Sequence, residues 1–196
     1  MGSGLQPETM NQNSEKLIAQ TAAWVEQVIV GFNLCPFARQ EVERQSIDYQ
    51  VEPSDASAEQ LQSLLNLCKK LDDNQDIATA LLLLPSGVDD FHDYLELVDY
   101  AERLLELEGY TGVYQLATFH PNYQFAGCDA DDAANYTNRS PYPMLHLLRE
   151  DGLSAALASY AKPERIPERN IEFATKKGAA FFEEILANIK ALNGNA

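Results

Sequence analysis

The chain has 196 residues, 45% hydrophobic and 22% charged, which suits one soluble domain with a sizeable core. Its formal net charge of −16 opposes nucleic acid or an anionic membrane as partner, because both are held through a basic footprint. No run of about 18 apolar residues occurs, which excludes a membrane-spanning helix. The three widely spaced cysteines suggest neither a disulfide framework nor a thiolate zinc site, so a reducing cytoplasm is the expected location.

Residues 1–9 are expected to be an appended leader, with Met10 the native start and residues 10–196 a single domain. No basic stretch precedes an apolar one, so a secretory signal is not expected. From Ser14 to Val30 the spacing of Leu17, Thr21, Trp24 and Val28 predicts an amphipathic helix stopped at Gly31. Pro36 then opens a second short helix to about Gln45, with Cys35 at or beside its N-cap.

Ile47 to Val51 alternates like a strand. Ala58 to Leu71 carries a leucine stripe that includes Cys68, so that cysteine belongs to the core. Ile77 to Leu84 reads as a buried strand, Asp89 to Glu108 as a long helix with acids in its first turn, and Val113 to Phe119 as a third strand.

This β-α-β-α-β order predicts an α/β fold, a small mainly parallel sheet of about three strands flanked by helices. Tyr142 to Glu150 and Leu153 to Tyr160 read as short helices. A long C-terminal helix opens at Pro167, with Ile171, Ala174, Gly178, Phe181, Phe182, Ile185 and Ile189 on its buried side. A ferredoxin-like α+β arrangement is the alternative.

The run from Thr118 to Glu150 concentrates the polar chemistry. It holds His120 and His146, Cys128, Asp129, Asp131, Asp132, Asn135, Asn138, Arg139 and Arg149. Such segments are often functional loops on a rigid scaffold. This one begins where the third strand ends, and in parallel sheets ligands gather beyond the carboxyl ends of the strands. The charge is also uneven. Residues 1–110 hold 6 Lys+Arg against 20 Asp+Glu, residues 111–196 hold 8 against 10, and no acid lies between Ala133 and Arg149.

Cys35 is the candidate nucleophile, since a helix N-terminus and Arg39 one turn on would favour thiolate; burial as a small apolar residue beside Phe37 is the competing reading. His120 and His146 are the candidate acid and base. They could instead hold a metal with the aspartates, but no recognisable ligand spacing surrounds either one, and no metal site is assigned. Arg139, Arg165 and Arg169 lie near predicted helix starts, where cations need an anionic partner. That partner is either a bound anion or an internal carboxylate. Asn138 and Ser140 offer further polar contacts to a ligand or to their own loop.

At these residues the chain resembles a bacterial family catalogued as domain-of-unknown-function family 1415. The resemblance rests on Gly31–Ala38, Phe119-His120-Pro121, Tyr123–Gly127, Asn135–Pro143, Leu145–Glu150 and Ile166–Asn170. It implies no activity, but it points to Cys35, His120, Asn138, Arg139, His146, Arg149 and Arg169.

The expected function is a hydrolase- or transferase-type enzyme for a small anionic metabolite such as a phosphate ester or carboxylate. Cys35, His120 and His146 would supply the chemistry, and Arg39, Asn138, Arg139, Ser140, Arg149, Arg165 and Arg169 the binding. Non-catalytic anion binding, or a protein interaction through the acidic half, are the alternatives. No nucleotide or dinucleotide fingerprint is present, and neither cofactor nor oligomeric state is indicated.

Overall fold

A computed structural model describes residues 7–158 and 160–193, so most of the expected leader lies outside the described residues. The element order is α1 (Pro7–Trp24), a π-helical stretch (Val25–Val30), α2 (Ala38–Glu43), β1 (Ile47–Val51), α3 (Ser57–Asp73), β2 (Thr79–Leu83), α4 (Phe91–Leu107) and β3 (Tyr114–Phe119). A 3-10 turn (Ala133–Thr137) leads to β4 (Met144–Arg149), α5 (Glu150–Ala158), a second 3-10 turn (Pro163–Arg165), α6 (Ile166–Lys177) and α7 (Ala179–Lys190).

The sheet runs β1-β2-β4-β3. β1 and β2 are parallel neighbours, and β4 lies antiparallel between β2 and β3. The expected three parallel strands are therefore present in direction, but a fourth, reversed strand separates the second from the third. The fold is mixed α/β. Its order, β-α-β-α-β-β, also differs from the β-α-β-β-α-β of a ferredoxin-like sheet.

The added strand is the stretch expected to be helical from Tyr142 to Glu150. Met, Leu, Arg and Glu are good helix formers, so local preference favours a helix there. Tertiary pairing overrides it: Met144–Arg149 bonds to β2 on one side and β3 on the other. A central strand is apolar on both faces, so Met144, Leu145, Leu147 and Leu148 give no alternation to read.

On one face of the sheet, Leu64, Leu67 and Leu71 of α3 and Leu97 and Ala101 of α4 pack on Ala80, Leu82, Leu145 and Leu147. Each fully buried leucine contributes about 1.5–3 kcal/mol. Cys68 sits in this layer with no exposure, as its place on the leucine stripe requires. On the other face, Trp24, Val25 and Val28 and Ile189 of α7 pack on Leu81, Leu83 and Met144.

The expected long C-terminal helix is two helices. Gly178 breaks it at φ 82°, a conformation that favours glycine. Ala174, Phe182 and Ile189 are buried, whereas Ile171 is exposed. Gly31 does end the first helical segment, but in right-handed backbone rather than as a left-handed cap. A Cβ there would lie 2.2 Å from the Gln27 carbonyl oxygen, so close approach is what requires glycine. Among the described residues no helix is long and apolar enough to cross a membrane.

Candidate functional site

β2 and β4 turn Thr79, Leu81, His146 and Leu148 toward the α1 side of the sheet, because alternate residues of a strand share a face. Over these residues lies a cavity of about 870 Å³. Its walls are mostly apolar: Trp24, Val25 and Ile29 from the first helical segment, Leu34, Phe37 and Ala38 from the turn into α2, Phe119 from β3, and Leu153 and Ala155 from α5. Cys35, Thr137, Asn138, His146 and Asn170 also line it. Cys35, His146 and Asn138, far apart in sequence, are thus brought to one cavity.

This is not where the strand-end rule pointed. The cavity lies over the rows Ile47–Thr79–Leu148 and Leu81–His146–Ala117, toward the amino ends of the parallel strands. With β4 reversed between β2 and β3, the sheet lacks the open crevice that the rule presumes. The π-helical turns just after Trp24 place Val25 and Ile29 in the wall; such turns are frequent at functional sites.

The turn bearing Cys35 is held from the start of α6. Arg169 Nη2 donates to the Asn33 carbonyl, and Asn170 Nδ2 donates to the Leu34 carbonyl at 2.7 Å. Asn33 itself adopts φ 54°, a left-handed conformation that asparagine tolerates. Burial pushes the Cys35 thiol above its ordinary range, opposed by the backbone N–H groups of Phe37 and Ala38. The group is a thiol at neutral pH.

His146 is held by Thr79. The Thr79 hydroxyl donates to the Leu147 carbonyl at 2.6 Å and lies 2.6 Å from His146 Nε2. A hydroxyl has one proton, so its oxygen must accept from Nε2, and that nitrogen carries the imidazole proton. Nδ1 is left with its lone pair and has no partner among the described residues. Burial lowers the His146 pKa to about 4, so the ring is neutral at physiological pH. A second unengaged group is the Trp24 indole N–H. It is the only buried side-chain donor without an acceptor among the described residues. An unpaired buried group of this kind costs about 1–3 kcal/mol.

His120 is elsewhere. It is fully buried, its Nε2 donates to the Val88 carbonyl at 3.0 Å, and its Nδ1 accepts from the Asn122 N–H at 3.0 Å. Phe91 and Tyr94 pack against it, with ring centroids 5.2 and 5.0 Å away. Burial lowers its pKa, against opposing effects of the Val88 carbonyl, Asp89 and Asp90. Both ring nitrogens are engaged in tying two loops together, and it does not line the Cys35 cavity.

The arginines do not converge. Arg139 donates to the Tyr123 and Ala130 carbonyls at 3.1 and 2.6 Å, with its guanidinium 4.5 Å above the Tyr136 ring. Arg149 reaches the edge of the cavity but donates to the Leu71, Asn74 and Ile77 carbonyls, joining the end of α3 to the start of β2. Arg165 pairs with Glu168 at 3.4 Å, both exposed, and Arg39 is exposed on α2. Asn138 Nδ2 donates to the Thr118 carbonyl, and Ser140 Oγ to the Tyr142 carbonyl. Among the described residues no three His, Cys, Asp or Glu side chains come together as around a metal ion.

Trp24, Thr79 and Asn170 escaped the sequence reading as site residues. Thr79 had a signal: it is the one polar side chain in the run from Ile77 to Leu84. Trp24 looked like one more member of a core stripe, and Asn170 closes a motif whose arginine drew the attention.

No curated protein and no solved structure matches the chain. A family described as a protein of unknown function (DUF1415) matches residues 16–184, and the chain belongs to that family.

Proposed function

We propose that this protein is a hydrolase- or transferase-type enzyme whose reaction centre is the cavity lined by Cys35 and His146. One observation carries the reading: a thiol and an imidazole with an unengaged Nδ1 line the same large, mostly apolar cavity. Both groups are uncharged at neutral pH, so the nucleophile forms only as the reaction proceeds. The Cys35 proton passes to His146 Nδ1, sulfur bonds to an acyl-type carbon, and the leaving group departs with that proton. Water or an acceptor then cleaves the thioester and releases the thiol.

The test is residue-resolved alkylation by iodoacetamide at neutral pH, in wild type and His146→Gln. Cys35 should react roughly tenfold more slowly in the variant, a modest share of what a general base contributes. Cys128, which does not line this cavity, should react equally in both. Equal rates at Cys35 would sink the pairing.

A second reading keeps the anionic ligand but moves it. Tyr160, Lys162, Arg165, Arg169 and Glu172 line a cleft of about 270 Å³. Three cations in one small cleft favour phosphate or carboxylate, although Arg165 and Arg169 already have protein partners. Stabilisation by inorganic phosphate that disappears in Lys162→Ala would support it, and no stabilisation would end it. Arg139→Ala is a poor probe of either reading, because that side chain holds its own loop.

A further inference from the structure

We infer that the cleft at the start of α6 takes a phosphate group, and that this anion steadies the turn bearing Cys35 through Arg169. The inference rests on the second reading above and deepens it, by making the cleft a control point for the cavity. Three observations carry it.

The first is the charge of the cleft. Lys162, Arg165 and Arg169 line it, with Glu172 as the one acid. Among the described residues neither Lys162 nor Arg169 forms an ion pair. Arg165 has only its exposed contact with Glu168, and such surface pairs contribute little, so its guanidinium can turn to a better acceptor. The Tyr160 hydroxyl accepts from Arg169, which leaves its own O–H to donate. A phosphate dianion matches this set in charge and in number of acceptor oxygens; a carboxylate offers less of both.

The second is the position of Arg169. It lines the cleft and also reaches the turn before Cys35. Its Nη2 donates to the Asn33 carbonyl and to Asn170 Oδ1 at 3.0 Å, and its Nη1 donates to the Tyr160 hydroxyl at 3.2 Å. A guanidinium has five N–H donors, so it can meet an anion while the bond to Asn33 stays in place.

The third is what the turn shares with both voids. Cys35 and Phe37 line the cavity. Phe37 also packs edge-on to Tyr160 of the cleft, with ring centroids 6.0 Å apart. Asn33, at φ 54°, is in a conformation that asparagine tolerates but does not require, so the bond from Arg169 helps to fix it. Arg169 and Tyr160 thus touch the chain on either side of Cys35. An anion that fixes both side chains makes opening of the turn rarer, and the half-buried thiol then reacts more slowly.

The experiment uses the whole protein at neutral pH and constant ionic strength, with inorganic phosphate and glycerol phosphate as probes. Thermal unfolding reads binding, and residue-resolved alkylation by iodoacetamide reads the turn. Saturating phosphate should raise the unfolding midpoint and slow Cys35 roughly fivefold, the low end of ordinary coupling between sites. Cys128 should be unaffected. The probe that binds more tightly tells whether the cleft serves free phosphate or a phosphate ester. Arg169→Lys keeps the charge but not the fork. At a phosphate concentration that stabilises it equally, its Cys35 rate should no longer respond; a response that persists overturns Arg169 as the link. Stabilisation of wild type with the Cys35 rate unchanged or raised overturns the inference and leaves the cleft reading standing, and this comparison does not depend on a variant folding. No stabilisation by either probe overturns both.

Discussion

The loop from His120 to Pro143 and the cavity between Cys35 and His146 are built on opposite plans. The loop is dense in polar side chains, yet they close on the loop and its neighbours. Asn135 is fully buried, accepting from the Phe125 N–H at 3.0 Å and donating to the Asp129 carbonyl at 2.9 Å. Arg139, Asn138 and His120 likewise bond to backbone groups. The cavity has mostly apolar walls, yet one polar atom on them, His146 Nδ1, lacks a partner among the described residues. A high density of polar residues marks a segment that supports its own backbone. Unengaged hydrogen-bonding capacity beside a void marks a place for something else.

The contrast breaks first, if it breaks, at Asn135. Asn135→Ala removes the buried amide that ties the Phe125 N–H to the Asp129 carbonyl and leaves a void in its place. It should lower stability by about 3 kcal/mol in urea unfolding without changing the alkylation rate of Cys35 in the folded protein. A loss below about 0.5 kcal/mol would mean the loop is not closed in the way described.

His146 gives the next largest effect, through pH. Its folded pKa of about 4 lies below the ordinary 6.5, so above pH 6.5 it is neutral folded and unfolded alike. As pH falls from 6.5 toward 4 the unfolded chain takes up a proton that the folded chain refuses, and stability is lost across that window. Allowing for solvent reaching the cavity wall, the loss is about 2 kcal/mol. His120 acts in the same direction, so the slope of wild type minus His146→Gln isolates the cavity group. Identical pH profiles would place His146 in water.

The smallest effect sharpens the site. Thr79→Val should cost about 1 kcal/mol and release His146 from its single tautomer. Nitrogen NMR of the imidazole should show one protonated nitrogen, Nε2, in wild type and a mixture in the variant. A mixture in both would remove Thr79 as the group that positions the ring.

Much of the scaffold was legible locally. The leucine stripe of α3, the acid-led start of α4 and the alternation of Ile47–Val51 each state their element through period and capping. Asp90, for instance, caps α4 by accepting from the His92 N–H at 2.7 Å. Cys35 and His146 were legible as chemistry. Their meeting was not, because it depends on β4 being a strand, and Met144–Arg149 carries helix-forming residues and no alternation.

The sequence by itself determined the helices α3 and α4, the first three strands, the family and the core place of Cys68. These follow from side-chain periodicity, which acts over a few residues, and from long specific motifs. Only the tertiary structure decided the reversed fourth strand, the break at Gly178 and the partners of Arg139, Arg149 and His120. It alone placed Trp24, Cys35 and His146 around one cavity. Those outcomes turn on which donors and acceptors meet across long sequence separations, and residue types alone do not say which groups will be left without a partner.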